Sequence, residues 1–264
     1  MNSSTTYGLL IALGVIYFGV TGSTPNYQIF INEHAFIIVC GGTLAAALVS
    51  FPAKLLVKVS KVFLNRFSGK GSAPHIKVVE EIIGLAKGQY SDAEFLPNTV
   101  SKIKNHFLRE AIQLQLDGGM SNSKIDVIIR KRAEVHLVRY EADSHVFKTL
   151  ARFPPAFGLL GAVLGMVALM SNLGSPDSFK TVGPSLAVSL VATLYGIALA
   201  NFVFVPLGEN LAKLSKEDHL MRNIVIDGVK LLRDKEHPLV VEEYLQSYLL
   251  SSERLLLWKD KKAA

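Results

Sequence analysis

The sequence predicts an all-α polytopic membrane protein, with four transmembrane helices and a helical cytoplasmic domain between the second and the third. Two observations lead to this fold class. Only 19% of the 264 residues are charged, whereas soluble domains carry about 25%. Four long runs contain no Asp, Glu, Lys or Arg, namely 2–32, 35–53, 153–176 and 181–208, whereas the charged residues are concentrated in 54–152 and after Gly208.

Three of these runs are long enough to cross a bilayer, because about 30 Å of hydrocarbon requires roughly 20 residues of helix. The first run has a shorter apolar part, Tyr7–Val20. We interpret it as a retained helix, since its leader lacks the Lys or Arg of a secretory signal. The four runs are called membrane segments 1 to 4 below.

The basic residues orient these segments. Seventeen Lys and Arg lie in 54–152 and ten lie after Gly208, whereas only Lys180 lies between segments 3 and 4. None lies between segments 1 and 2. Because positive charge is retained in the cytoplasm, both termini and the 54–152 region are expected there. Topology therefore explains the net charge of +6, and no nucleic-acid partner is predicted.

The chain is expected to divide along these boundaries. The predicted parts are transmembrane helices 1 and 2 (1–53), a cytoplasmic helical domain (54–150), transmembrane helices 3 and 4 (151–208) and a cytoplasmic C-terminal helical tail (209–264). No phosphate-binding glycine loop, nucleophile motif or metal-ligand spacing occurs in the sequence. The sequence therefore predicts no enzyme, no cofactor and no metal site.

Three helices are predicted in the cytoplasmic domain. Apolar periodicity indicates one over His75–Gly88 and another over Thr99–Leu116, which a glycine pair at Gly118 ends. A long helix begins near Ser121 and runs toward segment 3. Pro154 and Pro155 predict a break or bend where it meets the membrane. That break is either the start of a new helix or a functional hinge.

Segment 3 carries small residues and segment 4 carries polar ones. Gly158, Gly161 and Gly165 have the spacing that allows close helix packing. In segment 4 a file of residues recurs every fourth position: Ser185, Ser189, Thr193, Ile197 and Asn201. Such a file either lines a water-filled path or forms hydrogen bonds between helices. No segment contains Asp, Glu, Lys, Arg or His, so a carboxylate for ion transport must come from another chain.

Four blocks together resemble the flagellar motor stator A subunits, of the MotA and PomA type, within the MotA/TolQ/ExbB proton channel family. The resemblance covers essentially the whole chain, and its blocks are GGTLAAALVSFP at 41–52, FLREAIQLQLDGG at 107–119, PPAFGLLGAVLGMVALMSN at 154–172 and VGPSLAVSLVATLYGIALANFVFVPL at 182–207. It implies a multi-pass protein of the bacterial inner membrane. It also implies a homopentamer around two helices of a MotB-type subunit, which supplies the intramembrane Asp.

The resemblance also assigns roles to residues. Pro155 and Pro206 match the two prolines associated with coupling ion passage to conformational change. Thr193 matches the channel-lining threonine, with Ser189 beside it on the ion path. Ala162 occupies the position where sodium-driven members typically carry threonine. Since a methyl group offers no ligand to a desolvated cation, we expect proton coupling, with sodium as the alternative.

The stretch expected to contact the flagellar rotor departs from the family pattern. Lys87 can replace the usual arginine, and Glu94 lies close to the usual glutamate without a clean match. Lys102 and Lys104 add positive charge where acidic residues are usual. Because rotor contact depends on charge complementarity, the partner is expected to have altered charge or to differ from the usual rotor.

The leading hypothesis is a torque-generating stator subunit that couples inward proton flow to rotation. Three alternatives stay open: an ExbB- or TolQ-like energiser of a non-flagellar load, a sodium-driven PomA-type stator, and a non-conducting membrane scaffold.

Overall fold

A computed structural model describes residues 3–57, 61, 74–92, 94–173 and 178–254, and every regular element in these ranges is helical. The principal helices are α1 (Ser3–Ser23), α2 (Glu33–Phe36, continued by a π-helical turn at Ile37–Gly41 and by Gly42–Ser50), α3 (Pro74–Ser91), α4 (Phe95–Thr99), α5 (His106–Leu116), α6 (Asn122–Leu150), α7 (Phe153–Asn172), α8 (Ser178–Leu199), α9 (Val205–Arg233) and α10 (Pro238–Gln246). A π-helical turn at Ala200–Phe204 joins α8 to α9. The prediction of an all-helical chain is confirmed for these ranges.

Three helical stretches are long and apolar enough to cross a membrane. They are Tyr27–Ser50, Asn122–Ser171 and Val182–Arg233, and they overlap membrane segments 2, 3 and 4. Segment 1 forms a helix whose apolar part, Leu10–Ser23, is shorter than a full span. The chain is therefore a helical membrane protein in which segment 1 is the least typical of the four predicted spans.

One compact unit combines Met1–Gly71 with Ala142–Ala212. In this unit α7 packs along α8, and α2 packs against both. A buried apolar cluster from α2 and α8 comprises Ala35, Val39, Val191 and Ala192. Helix α1 differs, since large side chains around its circumference, such as Ile11 and Phe18, are 66% and 75% exposed.

The second compact unit combines Ser72–Glu141 with Lys213–Ala264. Its core is a single apolar cluster to which α3, α5, α6, α9 and α10 all contribute. The most deeply buried large side chains are Ile82, Leu108, Ile112, Ile125, Ile224, Leu232 and Leu245. This core shows that the helices of 74–141 require those of 213–249 to cover their apolar faces.

The predicted helix over Thr99–Leu116 is not continuous: Thr99 ends α4, Val100–Lys102 form a 3-10 turn, and the chain leaves helical geometry at residues 103–105. Helix α5 begins only at His106, after the side chain of Asn105 caps it by accepting a hydrogen bond from the N–H of Leu108. The Glu81 carboxylate on α3 accepts hydrogen bonds from the backbone N–H groups of Lys104 and Asn105 at 2.6 and 3.4 Å. Long-range polar contacts therefore hold an extended entry to α5 where periodicity alone favours helix.

The predicted break before segment 3 is confirmed. Helix α6 ends at Leu150 and α7 begins at Phe153, with Pro154 and Pro155 in its first turn. The two intervening residues form a turn, in which the N–H of Arg152 donates to the carbonyl of Thr149 at 3.1 Å. Of the two interpretations of the proline pair, the start of a new helix describes the local geometry.

Candidate functional site

Helices α7 and α8 approach until their backbones touch. A Cβ atom added at Gly158 would lie 2.9 Å from the carbonyl oxygen of Ala192. One added at Gly196 would lie 2.5 Å from the carbonyl oxygen of Pro154. The glycines of segment 3 therefore permit close packing against segment 4, as their spacing indicates.

Ser189 and Ala162, two of the predicted ion-path residues, meet in this interface. The Ser189 hydroxyl donates to the carbonyl oxygen of Ala162 at 3.0 Å, and the residue is only 4% exposed. Gly165 leaves room for this contact, because a Cβ there would overlap the Ser189 hydroxyl oxygen. Of the two roles considered for the polar file, hydrogen bonding between helices describes Ser189.

Thr193 lies one turn further along α8 and is half-buried. Its hydroxyl donates to the Ser189 carbonyl of its own helix at 3.1 Å. A hydroxyl that donates one hydrogen bond still has lone pairs with which to accept others. Thr193 therefore combines a fixed orientation with acceptor capacity, and its role on an ion path stays a prediction.

The two prolines assigned to conformational coupling lie at interruptions of helical hydrogen bonding. Pro155 is in the first turn of α7, and Pro206 follows the π-helical turn that joins α8 to α9. Both side chains are half-buried. Because proline has no N–H, each interruption coincides with a missing backbone donor.

The predicted rotor-contact residues lie at the end of α3 and before α4. Lys87 and Glu94 are both exposed. Lys87 directly precedes Gly88, and Glu94 directly precedes Phe95. Gly88 and Phe95 are in close contact, because a Cβ added at Gly88 would overlap the Phe95 ring. The structure thus brings Lys87 and Glu94 into one region of the second unit, while leaving both head groups accessible.

Tyr195 forms a contact that the sequence did not reveal. Its hydroxyl donates to the carbonyl oxygen of Phe30 at 2.5 Å and lies 3.3 Å from the backbone nitrogen of Asn32, whose N–H donates to it. Two backbone groups next to α2 thus depend on one phenol of α8. No local pattern could reveal this pairing, because the partners are more than 160 positions apart in sequence.

His75 and Glu253 form a second unforeseen contact, in the other unit. The His75 Nε2 lies 3.0 Å from a Glu253 carboxylate oxygen, and the N–H of Leu250 donates to the other oxygen at 2.9 Å. These contacts, the Leu250 hydrogen bond foremost, hold the pKa of the Glu253 carboxyl below its ordinary value of 4.5. The carboxylate therefore ties the segment after α10 to the start of α3.

Acidification is expected to release this tie. A carboxyl whose folded pKa is depressed stabilises the fold above its unfolded pKa, and that stability is lost as pH falls through the folded value. Amide exchange of residues 249–254, corrected for its intrinsic pH dependence, should therefore lose protection below pH 4.5. Glu253→Gln should remove the pH dependence, and protection that persists unchanged in acid would contradict the assignment.

Among the residues that the structure describes, no group of three or more His, Cys, Asp or Glu side chains could hold a metal ion. Cys40 lies in α2 with a half-buried, free thiol.

Comparison with known proteins agrees with this architecture. The model of the MotA/TolQ/ExbB proton channel family matches residues 99–224. The chain is similar to chemotaxis protein PomA of Vibrio alginolyticus, with 29% identity over 97% of this chain and 98% of that protein. It is also similar to motility protein A of Borreliella burgdorferi, with 26% identity over 96% of each chain.

A solved structure extends the similarity to three dimensions. The flagellar MotAB stator complex from Bacillus subtilis contains a chain that superposes with a TM-score of 0.84 at 25% identity. The match covers 96% of this chain and 98% of that one. Sequence and fold thus agree over nearly the full length with stator proteins, and residues 99–224 match the MotA/TolQ/ExbB proton channel family.

Proposed function

We propose that this chain is an ion-conducting, torque-generating stator subunit of a bacterial flagellar motor, which couples inward proton flow to rotation. One observation carries the proposal. The membrane segments of this chain contain no Asp, Glu, Lys, Arg or His. A carboxylate that binds and releases ions must then come from a partner helix, and the similar chain of known structure belongs to a MotAB complex.

The proposed assembly follows from this requirement. Four membrane helices, α1 included, place both termini in the cytoplasm of the inner membrane. Five copies surround two helices of a MotB-type partner, whose Asp binds the proton. The exposed apolar side chains of α1 support a position against lipid or a neighbouring copy, since a single chain leaves them uncovered.

Proton coupling is favoured by the surroundings of Ala162. Its side chain is a methyl group, and its carbonyl oxygen already accepts the hydrogen bond from Ser189. A desolvated sodium ion requires several oxygen ligands, whereas a proton on a carboxylate requires none. Each proton that enters brings about 2.3 kcal/mol per 100 mV of membrane potential.

Torque is proposed to reach the rotor through the region of Lys87 and Glu94. Both side chains are exposed, and so are the nearby Lys102 and Lys104. The positive charge of this region favours a rotor surface that is correspondingly acidic. The chain acts without a cofactor, and the family that residues 99–224 match is one of channel subunits and not of enzymes.

The experiment is complementation of a strain that lacks its stators. Expression of this chain together with its MotB-type partner should restore swimming, and expression with a partner whose intramembrane Asp is replaced by Asn should not. Swimming that fails to return despite normal assembly would favour a non-flagellar load. Assembly without any ion conductance would favour a scaffold.

The coupling ion is tested in the same strain. Swimming speed should be independent of sodium concentration and should fall when a protonophore collapses the proton gradient. In Ala162→Thr the added hydroxyl supplies an oxygen ligand, so sodium dependence is expected to appear or the speed to fall. Ala162→Ser is the matched smaller substitution. A wild-type motor that already requires sodium would overturn proton coupling.

A further inference from the structure

The hydroxyl of Thr43, in α2, is buried in the first compact unit and makes no hydrogen bond to any residue that the structure describes. The residue is only 5% exposed. Hydroxyls of segment 4 behave differently, since those of Ser189 and Thr193 donate to backbone carbonyls. A buried hydroxyl without a partner is costly in an apolar interior. Thr43 therefore requires a polar group that can reach it.

The acceptor that a helical threonine ordinarily uses is engaged in a bulge. That acceptor would be the carbonyl of Val39, four residues before Thr43. It lies in the π-helical turn Ile37–Gly41, directly after which the Gly42 N–H donates to the carbonyls of both Ile38 and Val39. The Thr43 hydroxyl does not join this shared contact and is left for a partner outside its own helix.

Thr43 lies between two buried apolar clusters. Val39, one turn before it, belongs to a cluster against which Leu199 of segment 4 packs. Ala47, one turn after it, belongs to another cluster, against which Phe204 packs. Residues four apart share one face of a helix, so Val39, Thr43 and Ala47 all face the same way. Thr43 therefore faces segment 4 at the level between Leu199 and Phe204.

Segment 4 has an unpaired acceptor at this level. The stretch Ala200–Phe204 is the π-helical turn, in which the Val205 N–H donates to the Ala200 carbonyl, five residues earlier instead of the four of a regular α-helix. Pro206 comes next and has no N–H, which leaves the turn short of one helical donor. A donor on segment 2 and an acceptor on segment 4 thus lie at one interior level, each without its helical partner.

We propose that Thr43 binds a buried water molecule between segment 2 and the π-helical turn of segment 4. A water molecule is small enough for an enclosed site, and it can accept a hydrogen bond from a hydroxyl while donating one to a carbonyl. The two bordering clusters are apolar, so an ion would find too few ligands here. Water satisfies both unpaired groups at once.

This water lies at the inner end of the proton path, with Thr43 as its positioning residue, an assignment that rests on the proposed function. Ala200 lies about two helical turns beyond Thr193 along segment 4, toward the end expected in the cytoplasm. A water molecule there can accept a proton and pass one of its own onward, which leaves it neutral. The proton thereby crosses a level that apolar side chains otherwise surround.

Thermal unfolding of the purified complex tests the water site without reference to swimming. Thr43→Val replaces the hydroxyl by a methyl group of similar size. If water satisfies the hydroxyl, valine loses that hydrogen bond and the variant should melt about 2–4 °C below wild type. If the hydroxyl is dry, valine removes an unpaired polar group. A valine variant that melts at or above the wild-type temperature therefore overturns the proposal.

Silver ions give a second readout, because Ag⁺ binds a thiolate and reaches an enclosed one only where water does. A Cys40→Ser background removes the one cysteine of the chain. In it, Thr43→Cys should bind Ag⁺ about tenfold faster than Val39→Cys and Ala47→Cys, measured by the mass of the chain. These two controls are buried positions one turn away on the same face. Equal rates at all three positions would show a dry site.

Swimming speed of the complemented strain tests the link to the proton path. Thr43→Val should assemble with the partner at wild-type yield and lose speed, whereas Thr43→Ser keeps the hydroxyl and should swim like wild type. A valine variant at full speed overturns the role in proton transfer. If the wild-type chain shows the silver and melting results but does not restore swimming, the stator function fails and the water site stands.

Discussion

Gly196→Ala is expected to abolish swimming and to lower the melting temperature of the purified protein. The new Cβ would lie 2.5 Å from the carbonyl oxygen of Pro154 and 3.2 Å from the Cα of Gly158. Both are backbone atoms, so relief requires α7 and α8 to separate. Overpacking in a well-packed interior costs roughly 1–3 kcal/mol, and separation would also break the Ser189 hydrogen bond to Ala162.

Gly41→Ala is the matched control in the same unit. A Cβ added at Gly41 meets no atom within 4 Å. Replacing a helical glycine by alanine without a clash stabilises a helix by up to about 1 kcal/mol, so this variant should melt no lower than wild type. If Gly196→Ala behaves like Gly41→Ala, the backbone contact between α7 and α8 is not as described.

Asp218→Ala is expected to destabilise the second unit by roughly 3 kcal/mol, as when one partner of a buried ion pair is removed. The Arg222 Nε donates to the Asp218 carboxylate at 2.7 Å, and the two side chains are only 10% and 19% exposed. The guanidinium also lies 4.5 Å from the centre of the Phe107 ring. Removal of the carboxylate leaves that charge buried without its anion. Thermal unfolding of the full chain in detergent measures the loss.

The double variant Asp218→Ala with Arg222→Met tests the cause. Methionine retains an apolar contact with the Phe107 ring and removes the buried charge, so the double variant should regain most of the lost stability. A double variant less stable than Asp218→Ala alone would show that Arg222 stabilises the unit by packing rather than by its charge.

The sequence predicts those structural features that depend on the length of apolar runs, on the placement of charged residues and on the spacing of glycine and proline. Charge-free runs identify segments 2 to 4, and the Pro154–Pro155 pair identifies the break between α6 and α7. The glycine spacing of segment 3 predicts close packing, and Gly118, at a φ of +64°, ends the turn after α5 as expected. Each of these signals lies within one stretch of chain.

The features that sequence does not predict depend on distant partners. The extended entry to α5 exists because Glu81 accepts two backbone hydrogen bonds, and nothing near Thr99 indicates this. In the sequence Tyr195 is indistinguishable from the apolar residues around it. Only the fold places Phe30 and Asn32 beside its hydroxyl. The extra residue at Ala200–Phe204 is also invisible to periodicity, because one residue in a long apolar run does not alter its composition.

The division of the molecule into two units has a consequence for its synthesis. Each unit is assembled from two separate stretches of chain, and the stretches alternate in sequence. When residues 72–141 leave the ribosome, the apolar faces bearing Ile82 and Leu108 have no cover, since Ile224 and Leu245 are not yet made. Two membrane segments must be inserted before the core can close. Nascent chains are therefore expected to need chaperone protection over this interval, and slow insertion of segments 3 and 4 would prolong the risk of aggregation.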